Sequence, residues 1–136
     1  MPYDGSNYSN NAFKVALEIA IKFRSKITVV TCLFRPPEEE PFYISEHAKI
    51  IDELRNNAIV ELQKLQKIAA MKKIPVEARV MSCSSVVEIL TTFVNTNKVD
   101  LIVMGTRGRT GFKPLLLGSV SVGVSQYASC PTLLVK

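Results

Sequence analysis

Two short runs of this sequence are apolar on both faces, and each is flanked by stretches whose apolar residues recur at helical spacing. The first, Lys26 to Phe34, reads KITVVTCLF, and the second is Leu101 to Met104 between Asp100 and Gly105. A strand apolar on both sides needs helices over both sides, which is the condition of a parallel sheet. The helical stretches supply that cover. Ala12, Val15, Ala16, Ile19 and Phe23 form one stripe, preceded by Ser6, Asn7 and Ser9 as candidate caps. Ile51, Leu54, Ala58, Leu62, Leu65 and Ala69 form a longer one that Pro75 forbids from continuing. Val76 to Met81 alternates, with Glu77 and Arg79 on the wetter face of an edge strand. Ser84 or Ser85 caps a helix carrying Val86, Ile89, Leu90, Phe93 and Val94, with Glu88 placed as in a capping box. Ser119 opens a short helix to about Ala128, and Thr132 to Val135 forms a last strand.

This alternation predicts one α/β domain over residues 1–136, a doubly wound parallel sheet with right-handed crossovers and a ligand at the carboxyl ends of the strands. The first helix needs a strand to pack on, and only Met1, Pro2 and Tyr3 precede it. Arg35 to Phe42, with Pro36, Pro37, Glu38, Glu39, Glu40 and Pro41, reads as a solvated loop.

No apolar run has the length of a membrane span, and Met1 to Asn11 is acidic and polar rather than basic and then apolar, unlike a secretory signal. Cys32, Cys83 and Cys130 are widely spaced, with His47 the single imidazole, so zinc and disulfide frameworks are not expected; buried thiols in a reducing cytoplasm are. The net charge is +5, and after Asp100 there is no Asp or Glu while Arg107, Arg109, Lys113 and Lys136 all lie there. That asymmetry draws an anion to the C-terminal third. Nucleic acid is not the expected partner, because no basic stripe is interleaved with aromatics.

The segment from Gly105 to Ser119 carries the chemistry. Gly105, Gly108 and Gly111 allow close approach of backbone N–H groups, and Gly118-Ser119 begins a helix whose first N–H groups are unpaired, a place where a phosphate fits. Arg107, Arg109 and Lys113 add charge, while Thr106, Ser119 and Ser121 add hydroxyls. The spacing is neither the dinucleotide fingerprint nor a P-loop. On these residues alone, a phosphate cradle competes with a plain glycine-rich connection carrying solvated arginines.

Gly105-x-x-Gly108, nine residues, then Gly118-Ser119 resembles the Gly-2x-Gly-9x-Gly-(Ser/Thr) ATP-binding motif of the universal stress protein family. The resemblance extends to Val99 through Gly105, Leu116 through Ser121, Cys130 through Val135, and the first turn Pro2-Tyr3-Asp4-Gly5-Ser6. It implies an adenine nucleotide alpha hydrolase-like sheet of five strands in the order 3-2-1-4-5, with ATP and Mg²⁺ as ligands. Pro2 and Asp4 would sit by the adenosine, with Asp4 near ribose or metal. Cys32 would meet adenine through its backbone and Met104 would line the base pocket, while Gly105, Gly108, Gly118, Ser119, Val120 and Ser121 would hold ribose and phosphates. Roles for Arg107 and Arg109 follow from charge alone. Asp4 before Gly5 also reads as a turn-capping residue. The family carries a whole apolar strand ahead of Pro2, so the first strand is expected to be cut short and the natural start to lie upstream of Met1. Ser82-Cys83-Ser84-Ser85 replaces the family's Gly-x-Pro turn. A homodimer is implied through the edge strand Thr132 to Val135, whose open ladder invites pairing. The functional expectation is a nucleotide-dependent regulatory module in the stress response that binds a protein partner. Weak ATP hydrolysis and a nucleotide-free dimeric scaffold are the alternatives.

Overall fold

The computed structural model describes residues 1–35, 44–109 and 117–136, with the side chains of residues 44–48 left aside. The expected loop from Pro36 to Phe42 and the stretch containing Gly111 and Lys113 lie outside the described residues. The elements are α1 (Asn7–Phe23), β1 (Ile27–Phe34), α2 (Ile44–Met71), β2 (Val76–Cys83), α3 (Val86–Thr96), β3 (Ile102–Gly105), α4 (Ser119–Tyr127) and β4 (Thr132–Val135).

Local chemistry sets the boundaries. Ser6 caps α1 by accepting a bond from the Ser9 N–H, and Arg24 in the left-handed region at φ 51° closes it. Ser85, rather than Ser84, caps α3 by accepting from the Glu88 N–H. The buried face of α1 is Ala12, Phe13, Ala16, Leu17 and Ala20. This is rotated from the expected stripe: Val15 and Ile19 flank it and Phe23 is 76% exposed. In α2 the buried residues are Leu62, Leu65 and Ala69, while Leu54 is exposed. That helix therefore rests on the sheet through its C-terminal half.

β1 pairs with β2 in parallel from Ile27↔Val76 to Phe34↔Cys83, and β3 pairs with β4 in parallel from Ile102↔Thr132 to Gly105↔Val135. Among the described residues these form two two-stranded sheets, β1-β2 and β3-β4, and the single five-stranded order 3-2-1-4-5 is not seen. The physical reason lies at the N-terminal segment. Pro2 makes one parallel bridge to Val30, Val30 N–H donates to Met1 O at 2.9 Å, and Tyr3 N–H donates to Val30 O at 2.9 Å. Met1–Tyr3 thus extends the β1 ladder by one bridge and does not reach β3 as a ladder.

Two apolar clusters sandwich the strands. One gathers Phe13, Leu17, Val29, Leu62, Leu65 and Val103 between the strands and α1 and α2. The other gathers Val30, Leu90, Val94, Ile102, Met104 and Val124 beneath α3 and α4. The alternation along β1 and β3 sends successive residues to opposite clusters, which is why both runs are largely apolar.

Candidate functional site

The turn ahead of α1 and the glycine loop after β3 are tied together through Asp4. Its Oδ1 accepts from Ser6 N–H at 3.0 Å, and its Oδ2 accepts from Arg109 N–H at 2.9 Å across 105 residues of sequence. Burial pushes the Asp4 carboxyl up, but the bonds from Ser6, then Ser9 and Arg109, outweigh it and hold the group below the ordinary carboxylate range. Gly5, at φ +81°, turns the chain after Asp4, and a Cβ there would stand 2.8 Å from an Arg109 guanidinium nitrogen. Arg109 therefore lies across the turn. Tyr3, 6% exposed, anchors the other side: its hydroxyl donates to Asn10 Oδ1 at 2.9 Å, and its carbonyl accepts from Thr31 Oγ1 at 2.9 Å.

The glycines are set by what stands against them. At Gly105 a Cβ would come 2.7 Å from Tyr8 Cβ and 2.8 Å from the Tyr8 carbonyl carbon, so the N-terminal turn of α1 packs on bare backbone. At Gly108 it would come 2.6 Å from Asp4 Oδ2. Gly118 differs. Its φ is −76°, and a Cβ there would make only ordinary contacts, the nearest with Arg107 Cα at 3.4 Å. The protein itself does not exclude a side chain at Gly118.

The loop closes onto α4 through Thr106, whose carbonyl accepts from Gly118 N–H at 2.8 Å and from Ser121 Oγ at 2.7 Å. Ser121 is buried and its hydroxyl also stands 2.9 Å from Gly118 O, so its proton is engaged in holding the loop. Gly118 caps α4 with no side-chain acceptor, and the N–H groups of Ser119 and Val120 at the helix start have no intrahelical partner. On the glycine loop, Thr106 Oγ1 and Arg107 Nε are buried with no hydrogen-bond partner among the described residues. A buried polar atom left unpaired costs about 1–3 kcal/mol, so such atoms mark where a ligand or water completes the site. The Arg107 guanidinium is held over the Tyr8 ring, 5.0 Å from its centroid.

The structure thus brings Asp4, Gly105, Arg107, Gly108, Arg109, Gly118 and Ser121 into one constellation, while Pro2, two residues before Asp4, is bridged to Val30 of β1. Ser119 is exposed at the start of α4, while Val120 packs partly against the α3–α4 cluster. Met104 is 5% exposed and its side chain belongs to that same cluster, so it is a core residue. Cys32 lies two residues beyond Val30 on β1 and is half-buried rather than buried, as are Cys83 and Cys130. Burial, then the neighbouring Cys83, pushes the Cys32 thiol up to about 12. Tyr8 was not legible as a site residue: an aromatic on the first turn of a polar helix start carries no sequence signal for what it will stack on.

The model of the universal stress protein family matches residues 1–136. A universal stress protein of Methanocaldococcus jannaschii is 32% identical over 136 residues, covering 100% of this chain and 79% of that protein. Among solved structures, the universal stress protein UspA from Lactobacillus plantarum superposes with a TM-score of 0.93 at 18% identity, covering 99% of this chain and 94% of that one. A universal stress protein in complex with cAMP gives a TM-score of 0.71 at 24% identity over 99% of this chain and 92% of its own. One from Archaeoglobus fulgidus in complex with dAMP gives 0.68 at 17% over 98% and 92%. At these identities the solved structures establish the shared fold.

Proposed function

The chain belongs to the universal stress protein family, and from that premise we propose that it is an ATP-binding regulatory module, holding the nucleotide between the Asp4 turn and the Gly105–Ser121 loop. One observation carries the reading: on the loop whose Thr106 carbonyl is bonded by Gly118 N–H at the start of α4, Thr106 Oγ1 and Arg107 Nε are buried with no hydrogen-bond partner among the described residues. Donors gathered at a helix start suit phosphate oxygens. That two structural neighbours hold cAMP and dAMP supports an adenine nucleotide as the class. Pro2, Asp4 and the backbone of Cys32 then frame the nucleoside, and Gly105, Gly108, Gly118, Ser119 and Val120 the phosphates. Met104 supports the base from the core, and Arg107 and Arg109 add charge.

Among the described residues no group of three or more His, Cys, Asp or Glu side chains gathers as metal ligands, and both Asp4 oxygens already accept backbone bonds. The residues fit Mg²⁺ only as a companion of the phosphates, and no step depends on it. With that carboxylate engaged in structure, the site suits holding ATP rather than hydrolysing it, so binding would select one conformation for a protein partner.

The same reading includes a homodimer through β4 in the cytoplasm. Ile102 N–H donates to Pro131 O and Thr106 N–H to Val135 O, so odd residues of β4 face β3 while the backbone of Thr132 and Leu134 faces outward. Leu134 packs against the α3–α4 cluster and Leu133 is 40% exposed, so backbone pairing rather than the Leu134 side chain is the contact to test. Among the described residues no helix is long and apolar enough to cross a membrane.

Calorimetric titration with ATP tests the site. Sub-millimolar affinity is expected, and Thr106→Val, which removes the unpartnered hydroxyl at constant shape, should weaken it about fivefold, the equivalent of ~1 kcal/mol. No affinity below millimolar for the unaltered protein overturns the reading. Sedimentation equilibrium of Thr132→Pro, which removes one outward N–H, should show a weakened dimer.

A further inference from the structure

Three sulfur-bearing side chains gather at the carboxyl end of the β1–β2 pair. The parallel register sets Cys32 opposite Met81 and Phe34 opposite Cys83, so Cys32, Met81 and Cys83 stand on one face of the two strands. That face looks toward the α3–α4 cluster, against which Cys32 and Met81 both pack. Cys32 and Cys83 are diagonal neighbours across the ladder, and their thiols are hydrogen-bonded, Cys32 S–H donating to the Cys83 sulfur. Both thiols are half-buried, while Phe34 is 62% exposed and Ser84 is exposed at the strand ends, so solvent reaches this corner. The nucleotide reading uses only the backbone of Cys32 and neither of the other two residues.

The register limits what the pair can do. Strands ~4.8 Å apart with a rise of ~3.3 Å per residue put diagonal Cα atoms about 8 Å from each other. A disulfide needs Cα atoms within about 7 Å, so a direct S–S bond would require the strands to shift. An ion held between the two sulfurs requires no such shift. Zinc closes a shell of four N, O or S donors, and among the described residues no further His, Cys, Asp or Glu gathers with the pair. Two thiolates beside a thioether are soft donors, which select Cu(I), an ion content with two or three ligands. We propose that Cys32, Cys83 and Met81 form a Cu(I)-binding site, the two thiolates holding the ion and the Met81 sulfur completing its shell. On binding, two Cu–S bonds form with the thiolates, each thiol gives its proton to solvent, and neither copper nor sulfur changes oxidation state. The site stands apart from the nucleotide reading, because its ligand and its readout involve no nucleotide.

The test is an anaerobic titration of the full chain with Cu(I) in competition with bicinchoninate, with proton release followed in weak buffer. One ion per chain and about two protons per ion are expected. Cys83→Ser, a near-isosteric change at a strand end, should lose more than the roughly 10–100-fold that removal of an outer-shell partner costs, and Met81→Leu should lose about tenfold. Cys32→Ser should lose as much as Cys83→Ser, and Cys130→Ser should match the unaltered protein; thermal melts of each variant confirm that it is folded. Unchanged affinity in Cys83→Ser overturns the proposal, as does loss of binding in Cys130→Ser or a stoichiometry of one ion per two chains, which would place the donors on separate copies.

Discussion

Substituting Gly108 by alanine isolates the bond that joins the two ends of the chain. A Cβ at Gly108 would meet Asp4 Oδ2 at 2.6 Å and Asp4 Cγ at 3.8 Å, with no third such contact within 4 Å among the described residues. Gly108 is not among the glycines at positive φ, so alanine brings no backbone strain of its own. Relief requires Oδ2 to retreat by roughly 0.8 Å to ordinary van der Waals distance, which lengthens its 2.9 Å bond from Arg109 N–H beyond bonding range. A hydrogen bond to a charged acceptor contributes about 1.5–3 kcal/mol, and the half-exposed position of Asp4 argues for the lower figure. Against it stands ~0.5 kcal/mol gained because alanine restricts the unfolded chain. Gly108→Ala should therefore destabilise by ~1 kcal/mol.

The companion variant makes the reasoning sharp. In an Asp4→Ala background the clash is gone and only the unfolded-state gain remains, so Gly108→Ala should stabilise by ~0.5 kcal/mol, a coupling of ~1.5 kcal/mol. With about 2 cal/mol/K of unfolding entropy per residue, the midpoint should fall by roughly 3–4 °C in the first background and rise by roughly 2 °C in the second. Urea or thermal unfolding of the four proteins measures the cycle. Equal destabilisation by Gly108→Ala in both backgrounds would refute the assignment of Asp4 Oδ2 as the atom that excludes a side chain.

Three other expectations concern neighbouring groups. Gly105→Ala, whose Cβ would press on Tyr8 backbone at 2.8 Å, should destabilise far more than Gly118→Ala, whose nearest contact is 3.4 Å; thermal melts of the two variants check the ranking. Iodoacetamide at pH 8 on the native protein should alkylate Cys83 and Cys130 well before Cys32, whose thiol is held up to about 12; peptide mass mapping over time reads the order. Asp4 is held below the ordinary carboxylate range, so its contribution is full above the unfolded value near pH 4 and is lost as pH falls through the folded value. The stability gap between the protein and Asp4→Asn should stay constant from pH 8 to 5 and narrow below about pH 4 in denaturant titrations.

Much of the fold was written in local chemistry. Ser6, Ser85 and Gly118 sit at helix starts because a cap is settled within one turn of chain. The apolar runs at Ile27–Phe34 and Ile102–Gly105 became strands covered on both faces, as their patterning required. What the pattern did not settle were azimuths: the stripe of α1 centres on Phe13 and Leu17, because several apolar rows were available and packing on β3 chose among them. In the site, glycine spacing located the loop, but the partner of each glycine is long-range. That Gly108 faces Asp4 and Gly105 faces Tyr8 depends on how α1 docks, and no local pattern carries that. Met104 illustrates the limit in the other direction, for a residue adjoining a ligand loop in sequence lies with its side chain in the core.

Met1 to Asp4 physically links β1 to the glycine loop. Pro2 is fixed by its bridge to Val30, Tyr3 by bonds to Val30 and from Thr31, and Asp4 by Arg109, so a displacement of this segment along the strand direction moves the carboxylate that holds the glycine loop. Thr31→Val removes the bond to the Tyr3 carbonyl at nearly constant shape and loosens the segment from the β1 side. Ordering already achieved by one event need not be repeated by another, so the variant should bind ATP more weakly, and ATP should raise its thermal midpoint less than that of the unaltered protein at equal concentration. Linkage requires both effects or neither. Calorimetry and melting curves on the two proteins measure the pair, and weaker binding without the smaller thermal shift would show that Met1 to Asp4 does not couple β1 to the loop.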